Sequence, residues 1–263
     1  MSILNKIGFR LSGFRQVPLA DALFSLPEIG YDAVEICLEH PDLNPDNPSS
    51  VKTDELKSLL EEANLDVSAV SFHGKKADWE EKVRKCRIGI KMASDLGTDC
   101  FISGSRIEVD DDEFDGMCAF TIQMCKQTSD HGIYFAVEPE PGTLIDGTEE
   151  MEALISKVGS EYLKVNLDIG HSFLTEDDVC ADIQHWGERI AHIHIEDMKS
   201  GLHRHLIPGE GDLEFGGIFS ALERIEYNGY LTIDLFDIID QPAKHARSAL
   251  TALRRYIDEY NEK

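Results

Sequence analysis

Short β-branched and aliphatic runs alternate along this chain with longer segments in which apolar residues recur every three or four positions. These are the periods of strand and helix. The short runs fall at 6–10, 32–38, 66–73, 98–104, 132–138, 164–168, 190–196 and 230–236. The longer segments, at 18–29, 51–64, 76–96, 112–131, 147–158, 175–187, 215–226 and 242–260, predict helices. Leu56, Leu59, Leu60 and Ala63 line one face of the second, and Ala246, Ala249, Leu250, Leu253 and Ile257 one face of the last. Eight strands, each followed by a helix, predict an α/β fold: a single (β/α)8 TIM barrel over residues 1–263, with its active site at the C-terminal ends of the strands. The competitor is a doubly wound sheet. It is disfavoured because no run leads into a Gly-x-Gly-x-x-Gly turn and polar residues lie inside the strands on one parity. The stretch PDLNPDNPS at 41–49 reads as an enlarged loop on the active face.

Strand parity then sorts the side chains, since residues two apart share a face. Ile193 and Ile195 oppose His192 and His194, and Leu231, Ile233 and Leu235 oppose Thr232, Asp234 and Phe236. The aliphatic set packs under helices, so the polar set enters the barrel. The same rule turns Glu35 and Cys37, Ser71 and His73, and Ala136 and Glu138 inward. Ionisable groups in such an interior cost several kcal/mol unless paired or bound to a cation. Glu138, Asp168, His194 and Asp234 stand near the ends of the fifth to eighth strands, which converge on one mouth. Three carboxylates and an imidazole make a hard shell suited to one divalent ion: Mn, Mg, Co or Zn. Glu35 and His73 are candidates for orienting substrate hydroxyls or for a mutual buried hydrogen bond. Glu140, between two prolines, either contacts substrate or caps a loop, and His192 is expected to support His194.

Composition narrows the partners. With 50 Asp plus Glu against 25 Lys plus Arg, the net charge of −25 argues against binding a phosphate backbone. No apolar run approaches the ~20 residues of a membrane span, and the first residues lack the apolar core of a signal peptide, so a cytoplasmic protein is expected. Six scattered cysteines without a Cys-x-x-Cys pair read as reduced core thiols. The acidic run 108–115 reads as a solvated helix start, and Trp79 and Trp186 as packing residues. Few basic residues flank the site motifs, chiefly Arg10, Lys75, Lys199 and Arg204, so a neutral sugar is favoured over a sugar phosphate.

The stretches GYDAVEI (30–36), VSFHG (70–74), AVEPEPGT (136–143), VNLDIGHS (165–172), AHIHIED (191–197), HRHLIPGEGD (203–212) and LTIDLF (231–236) together resemble the xylose isomerase-like TIM barrel superfamily. That group holds sugar isomerases and epimerases as well as the endonuclease-IV type repair enzymes. The resemblance implies a divalent metal on Glu138, Asp168, His194 and Asp234, with Glu138 and Asp234 also moving the substrate proton. It implies that His171 and His205 bind substrate, and it marks His171, His203 and His205 as a candidate second metal site. Asp234 stands where Glu is usual, withdrawing the carboxylate by ~1.5 Å. Ser103 stands where the nuclease branch has His, and His203 where it has Asp.

The expected activity is a metal-dependent isomerisation or epimerisation of a sugar or related polyol ketone through an enediolate. The alternatives are an inosose dehydratase-like lyase, an endonuclease-IV-like phosphodiesterase and a sugar binder without turnover. The expected partner is a small-molecule sugar or polyol, with no nucleic acid and no membrane. The sequence does not fix an oligomeric state; barrels of this superfamily are often dimers or tetramers, so the resemblance leaves a homo-oligomer open.

Overall fold

The computed structural model describes residues 5–107, 111–238 and 240–263, and its strands close on themselves in the order β1-β10-β7-β6-β5-β4-β3-β2, all parallel. In chain order the elements are β1 (Ile7–Arg10), α1 (Leu19–Ile29), β2 (Ala33–Cys37), α2 (Thr53–Ala63), β3 (Asp66–Ser71), α3 (Trp79–Leu96), β4 (Cys100–Gly104), α4 (Asp111–His131) and β5 (Tyr134–Glu138). There follow α5 (Thr148–Val158), β6 (Leu163–Asp168), α6 (Ile169–Thr175), α7 (Val179–Trp186), β7 (Ile190–Ile195), a hairpin of β8 (Asp197–Lys199) and β9 (Leu202–Leu206), α8 (Phe215–Arg224), β10 (Leu231–Ile233) and α9 (Pro242–Asn261). This is the (β/α)8 barrel that the periodicity predicts.

The helix ends carry local stop and start signals. Asp78 caps α3 by accepting the Glu81 N–H at 2.8 Å, and Gly97 ends it in the left-handed region at φ 80°. The apolar stripe of α9 buries Ala246, Ala249, Leu250, Leu253 and Ile257. Leu253→Ala removes buried methyl groups from that stripe, so a loss of about 2–5 kcal/mol is expected in urea unfolding. A change within error would mean that α9 contributes little to the barrel.

Three elements depart from the periodicity. The helix predicted over 175–187 is α7, and an unpredicted α6 precedes it, because Asp168 caps a new helix at once by accepting the His171 N–H at 2.8 Å. Gly170 lets that helix pass close to Glu196, where a Cβ would meet Glu196 Oε1 and Met198. The β8–β9 hairpin has no apolar alternation to announce it; Asp197 pins it, accepting backbone N–H bonds from Met198, Gly209, Gly211 and Leu213 at 2.8–3.1 Å. The eighth barrel strand stops at Ile233, so Phe236 lies past its end and 42% exposed rather than inside.

The loop at 41–49 packs sideways: Asp42 accepts the Leu19 N–H at the start of α1, and Asp46 pairs with Arg84 and Lys85 of α3. Of the acidic run, residues 108–110 lie outside the described residues, and α4 opens at Asp111. Five of the six cysteines are buried and all are free. Trp186 is buried in the core. Among the described residues no helix is long and apolar enough to cross a membrane.

The barrel interior changes character along its axis. Toward the bottom Ala69, Cys100, Ile102 and Ala136 form a small apolar cluster, beside a Thr232–Ser68 hydroxyl contact at 3.2 Å. Above it the inward positions are polar and buried: Arg10, Glu35, Ser71, Asn166, His192 and His194.

Candidate active site

The strand ends surround a cavity of about 530 Å³, with Arg10, His73, Glu138, His171, His205 and Asp234 on its walls and Lys75, Glu140, His203 and Phe236 also lining it. Register decides which inward side chains meet. Asp168 lies beside His194 across β6 and β7, and Arg10 beside Glu35 across β1 and β2. Phe9 pairs with Ile233, which brings Asp234 alongside Arg10. The expected ligand carriers gather in two buried groups, Glu138–Asp168–His194 and Asp168–His205–Asp234, with Asp168 common to both.

Glu138 is the most heavily bonded of them. Its Oε2 accepts from His73 Nε2 at 3.1 Å and Asn166 Nδ2 at 2.5 Å, and lies 3.0 Å from His194 Nδ1. Its Oε1 takes none of these bonds and lies 3.7 Å from His171 Nδ1. Burial opposes a charge on Glu138, but His73 and His194 outweigh it and hold its pKa well below the usual carboxylate range. His73 Nδ1 faces Arg10 Nη2 at 2.7 Å. A guanidinium can only donate, so His73 accepts there and carries its proton on Nε2, toward Glu138.

His194 has a carboxylate at each nitrogen: Nε2 donates to Glu35 Oε2 at 2.5 Å, and Nδ1 faces Glu138 and, at 3.8 Å, Asp168 Oδ2. Burial pulls its pKa down, yet Glu35 and Glu138 push it well above the ordinary imidazole range. Asn166 Nδ2 also lies 3.1 Å from His194 Nδ1. Asp168 Oδ2 remains buried without a hydrogen-bond partner, as does Glu196 Oε2. Burial, and next the neighbouring Asp168, raise the Glu196 pKa well above the carboxylate range. An unpartnered buried carboxylate oxygen is costly. Together with this hard donor set, it fits a divalent ion held by Glu138, Asp168, His194 and Asp234.

Glu35 requires a correction. It is fully buried, does not line the cavity, and bonds His194, Arg10 Nε at 3.0 Å and Ser71 Oγ at 2.7 Å. Its bonds go to other residues of the site, and Arg10 lies between Glu35 and His73, bonding both; Glu35 also groups with His192 and His194 in an arrangement able to hold an ion. Burial opposes its charge, but His194 and Arg10 hold its pKa far below the ordinary value. His192, expected to support His194, packs edge-on against its ring and sets Nε2 3.6 Å from Glu35 Oε2, beyond hydrogen-bond reach; burial lowers its pKa to about 3. Glu35→Gln removes the charge that orients and enriches the imidazole, so divalent-ion affinity is expected to fall about tenfold in a Mn2+ titration. Unchanged affinity would remove Glu35 from that role.

The remaining candidates reach the cavity. His171 Nδ1 donates to the Pro139 carbonyl at 3.1 Å, which leaves Nε2 to accept from His203 Nε2 at 3.1 Å. His205 Nδ1 donates to the Asp234 carbonyl at 3.3 Å, leaving Nε2 unprotonated in the neutral ring. His171, His203 and His205 form a group able to share an ion. Glu140 pairs with Lys75. Asp234 ends against Arg10 Nη1 at 2.6 Å and Ser12 Oγ at 3.4 Å, so its shorter side chain meets a guanidinium on the adjoining strand. Burial raises its pKa less than Arg10 and His205 lower it. Ser103 donates to the Phe72 carbonyl at 2.9 Å and approaches Cys86 of α3, so it faces away from the site.

Sequence reasoning missed Ser12, Asn166 and Glu196 and gave Arg10 no role. Parity could have found Asn166, two residues before Asp168; Ser12 and Glu196 lie past strand ends, where parity lapses. Lys199 and Arg204 do not line the cavity.

Residues 25–256 match a family model described as xylose isomerase-like TIM barrel. The chain is similar to the fructoselysine 3-epimerase of Shigella flexneri, 22% identical over 273 residues that cover 97% of this chain and 99% of the relative. It is also similar to an inosose dehydratase of Bacillus velezensis, 22% identical over 181 residues, covering 62% of this chain and 59% of that relative. Among solved structures, an L-ribulose 3-epimerase aligns with a TM-score of 0.81 at 21% identity, over 98% of this chain and 96% of that one. The IOLI protein with a zinc atom aligns at 0.79 and 16% identity, over 97% and 99% of the two chains. At these identities the structural likeness carries the fold.

Proposed function

Because the chain belongs to the xylose isomerase-like TIM barrel family, we propose that it is a divalent-metal-dependent isomerase or epimerase of a sugar or related polyol ketone. The observation that carries this reading is Glu138: a cavity carboxylate with one oxygen fixed by His73 and Asn166 and the other outside those bonds. Such a group is a positioned base. A bound divalent ion, held by Glu138, Asp168, His194 and Asp234, would supply Lewis-acid polarisation of adjacent carbonyl and hydroxyl oxygens, acidifying the carbon-bound proton.

The residues then divide the work. Glu138 Oε1 takes the proton from carbon, giving an enediolate, while His73 and Asn166 fix the carboxylate from behind. Asp234, or a water beside it, returns a proton to the neighbouring carbon or the opposite face; because Asp234 is paired with Arg10, that proton is first drawn from solvent. His171, His203 and His205 meet substrate hydroxyls along one wall of the cavity, with Glu140 beside them. A chain that takes up two or three zinc ions, the extra ones on the three histidines, would instead favour the phosphodiesterase reading.

One observation favours a second reading, a dehydratase. Asp234 is engaged by both Arg10 and Ser12, which suits a reaction that needs a single carboxylate base and expels a β-hydroxyl from the enediolate. The family relatives include an inosose dehydratase as well as an epimerase. The test is a screen of ketoses and cyclitol ketones with metal-loaded protein in deuterated water. Deuterium incorporation at unchanged composition indicates isomerisation or epimerisation. Incorporation with loss of a water mass indicates dehydration, and the absence of either from every compound rejects both.

A further inference from the structure

Arg10 offers its guanidinium to three parts of the ligand cage at once: Nη1 to Asp234 at 2.6 Å, Nη2 to His73 at 2.7 Å and Nε to Glu35 at 3.0 Å. His73 in turn bonds Glu138, and Glu35 bonds His194. Three of the four ligand carriers are therefore tied to one side chain, directly or through one intermediary. Arg10 is 5% exposed, and its partners Glu35 and Asp234 are fully buried. A guanidinium keeps its charge and cannot accept, so it cannot leave this network by losing a proton.

We infer that Arg10 is a resident cation of the metal cage: it holds the carboxylates together before a divalent ion arrives and opposes that ion once it is bound. The inference rests on the metal-binding reading above. Without Arg10 the buried carboxylates Glu35 and Asp234 lose the guanidinium that pairs with both of them. A divalent ion satisfies Asp234 as well but enters beside a fixed positive charge. Both effects act in one direction: they stabilise the empty protein and weaken its hold on metal. The cage thus stands assembled without its ion, and loading responds to the free concentration of that ion.

The sign of one measurement separates this role from a merely structural one. If Arg10 only braces the site, removing it loosens the cage and weakens metal binding. If it is a resident cation, Arg10→Met binds Mn2+ more tightly, by about tenfold or more, because like charges a few ångströms apart in a buried site repel strongly. Arg10→Met also melts earlier than wild type without metal and gains more from Mn2+. Arg10→Lys, which keeps the charge but not the fork, stays within about threefold of the wild-type affinity.

The experiment is calorimetric titration of Mn2+ into metal-stripped wild type, Arg10→Met and Arg10→Lys, beside thermal unfolding with and without Mn2+. Equal or weaker binding by Arg10→Met, with wild type binding normally, overturns the inference alone. A wild type that takes up no Mn2+ overturns the metal reading and this inference together. Should Arg10→Met not fold, refolding in Mn2+ decides: recovery only with the ion supports a replaceable cation, and failure under both conditions overturns it.

Discussion

Glu138→Gln is expected to leave a folded barrel that has lost solvent exchange of its substrate's carbon-bound proton by about 10²–10⁴-fold, the range typical of a positioned general base. The amide is nearly isosteric. It can turn its oxygen toward the donors of His73, Asn166 and His194 that now reach Oε2. Its nitrogen then takes the place of Oε1, where a proton can no longer be received. The loss should fall on turnover more than on folding, checked by proton NMR in deuterated water beside near-ultraviolet circular dichroism. Exchange at the wild-type rate would remove Glu138 as the base, and the proposed mechanism with it.

The second large effect is expected at Asp168. Its two oxygens have separate duties: Oδ1 caps α6 through the His171 N–H at 2.8 Å, and Oδ2 is buried with no hydrogen-bond partner. Asp168→Asn keeps an oxygen for the cap and removes the charge. Divalent-ion affinity should therefore fall by about 10²-fold or more, beyond the loss typical of residues that only orient ligands. The melting temperature of the metal-free protein should change little. Elemental mass spectrometry of gently purified protein, with a Mn2+ titration, reads the result. Binding as tight as wild type would defeat the assignment of Asp168 as a ligand.

Much of this architecture was legible from periodicity, for a physical reason. A strand buried under helices repeats at two and an outer helix at three to four, and strand and helix segments alternated in this way through the chain. Parity also turned Glu138, His194 and Asp234 to the interior, because that rule holds wherever the pleat is regular. It fails in two ways here. It assigns a face but not a depth, so it turns Glu35 inward without telling a cavity wall from the buried layer where Glu35 bonds Arg10, Ser71 and His194. It also lapses once the strand ends, which hid Glu196 and carried Phe236 inside. The short α6 escaped because its capping residue is itself the last residue of β6, leaving no loop to signal a helix start. Arg10 escaped because its meaning lies in lateral register: only when β1 is set against β2 and β10 do Glu35 and Asp234 become its neighbours.

The anchoring of the β8–β9 hairpin by Asp197 has a consequence for how this protein can change. That carboxylate gathers four backbone N–H groups from both flanks of the hairpin, and none of these bonds depends on a side chain other than its own. The tip residues Ser200, Gly201 and Leu202 stand exposed beyond it, while His205 at the root keeps its place on the cavity wall. The anchor is thus indifferent to the side chains it holds in place. Mutation can rewrite the exposed positions 200–202 while the backbone around Asp197, and His205 below it, keeps its course.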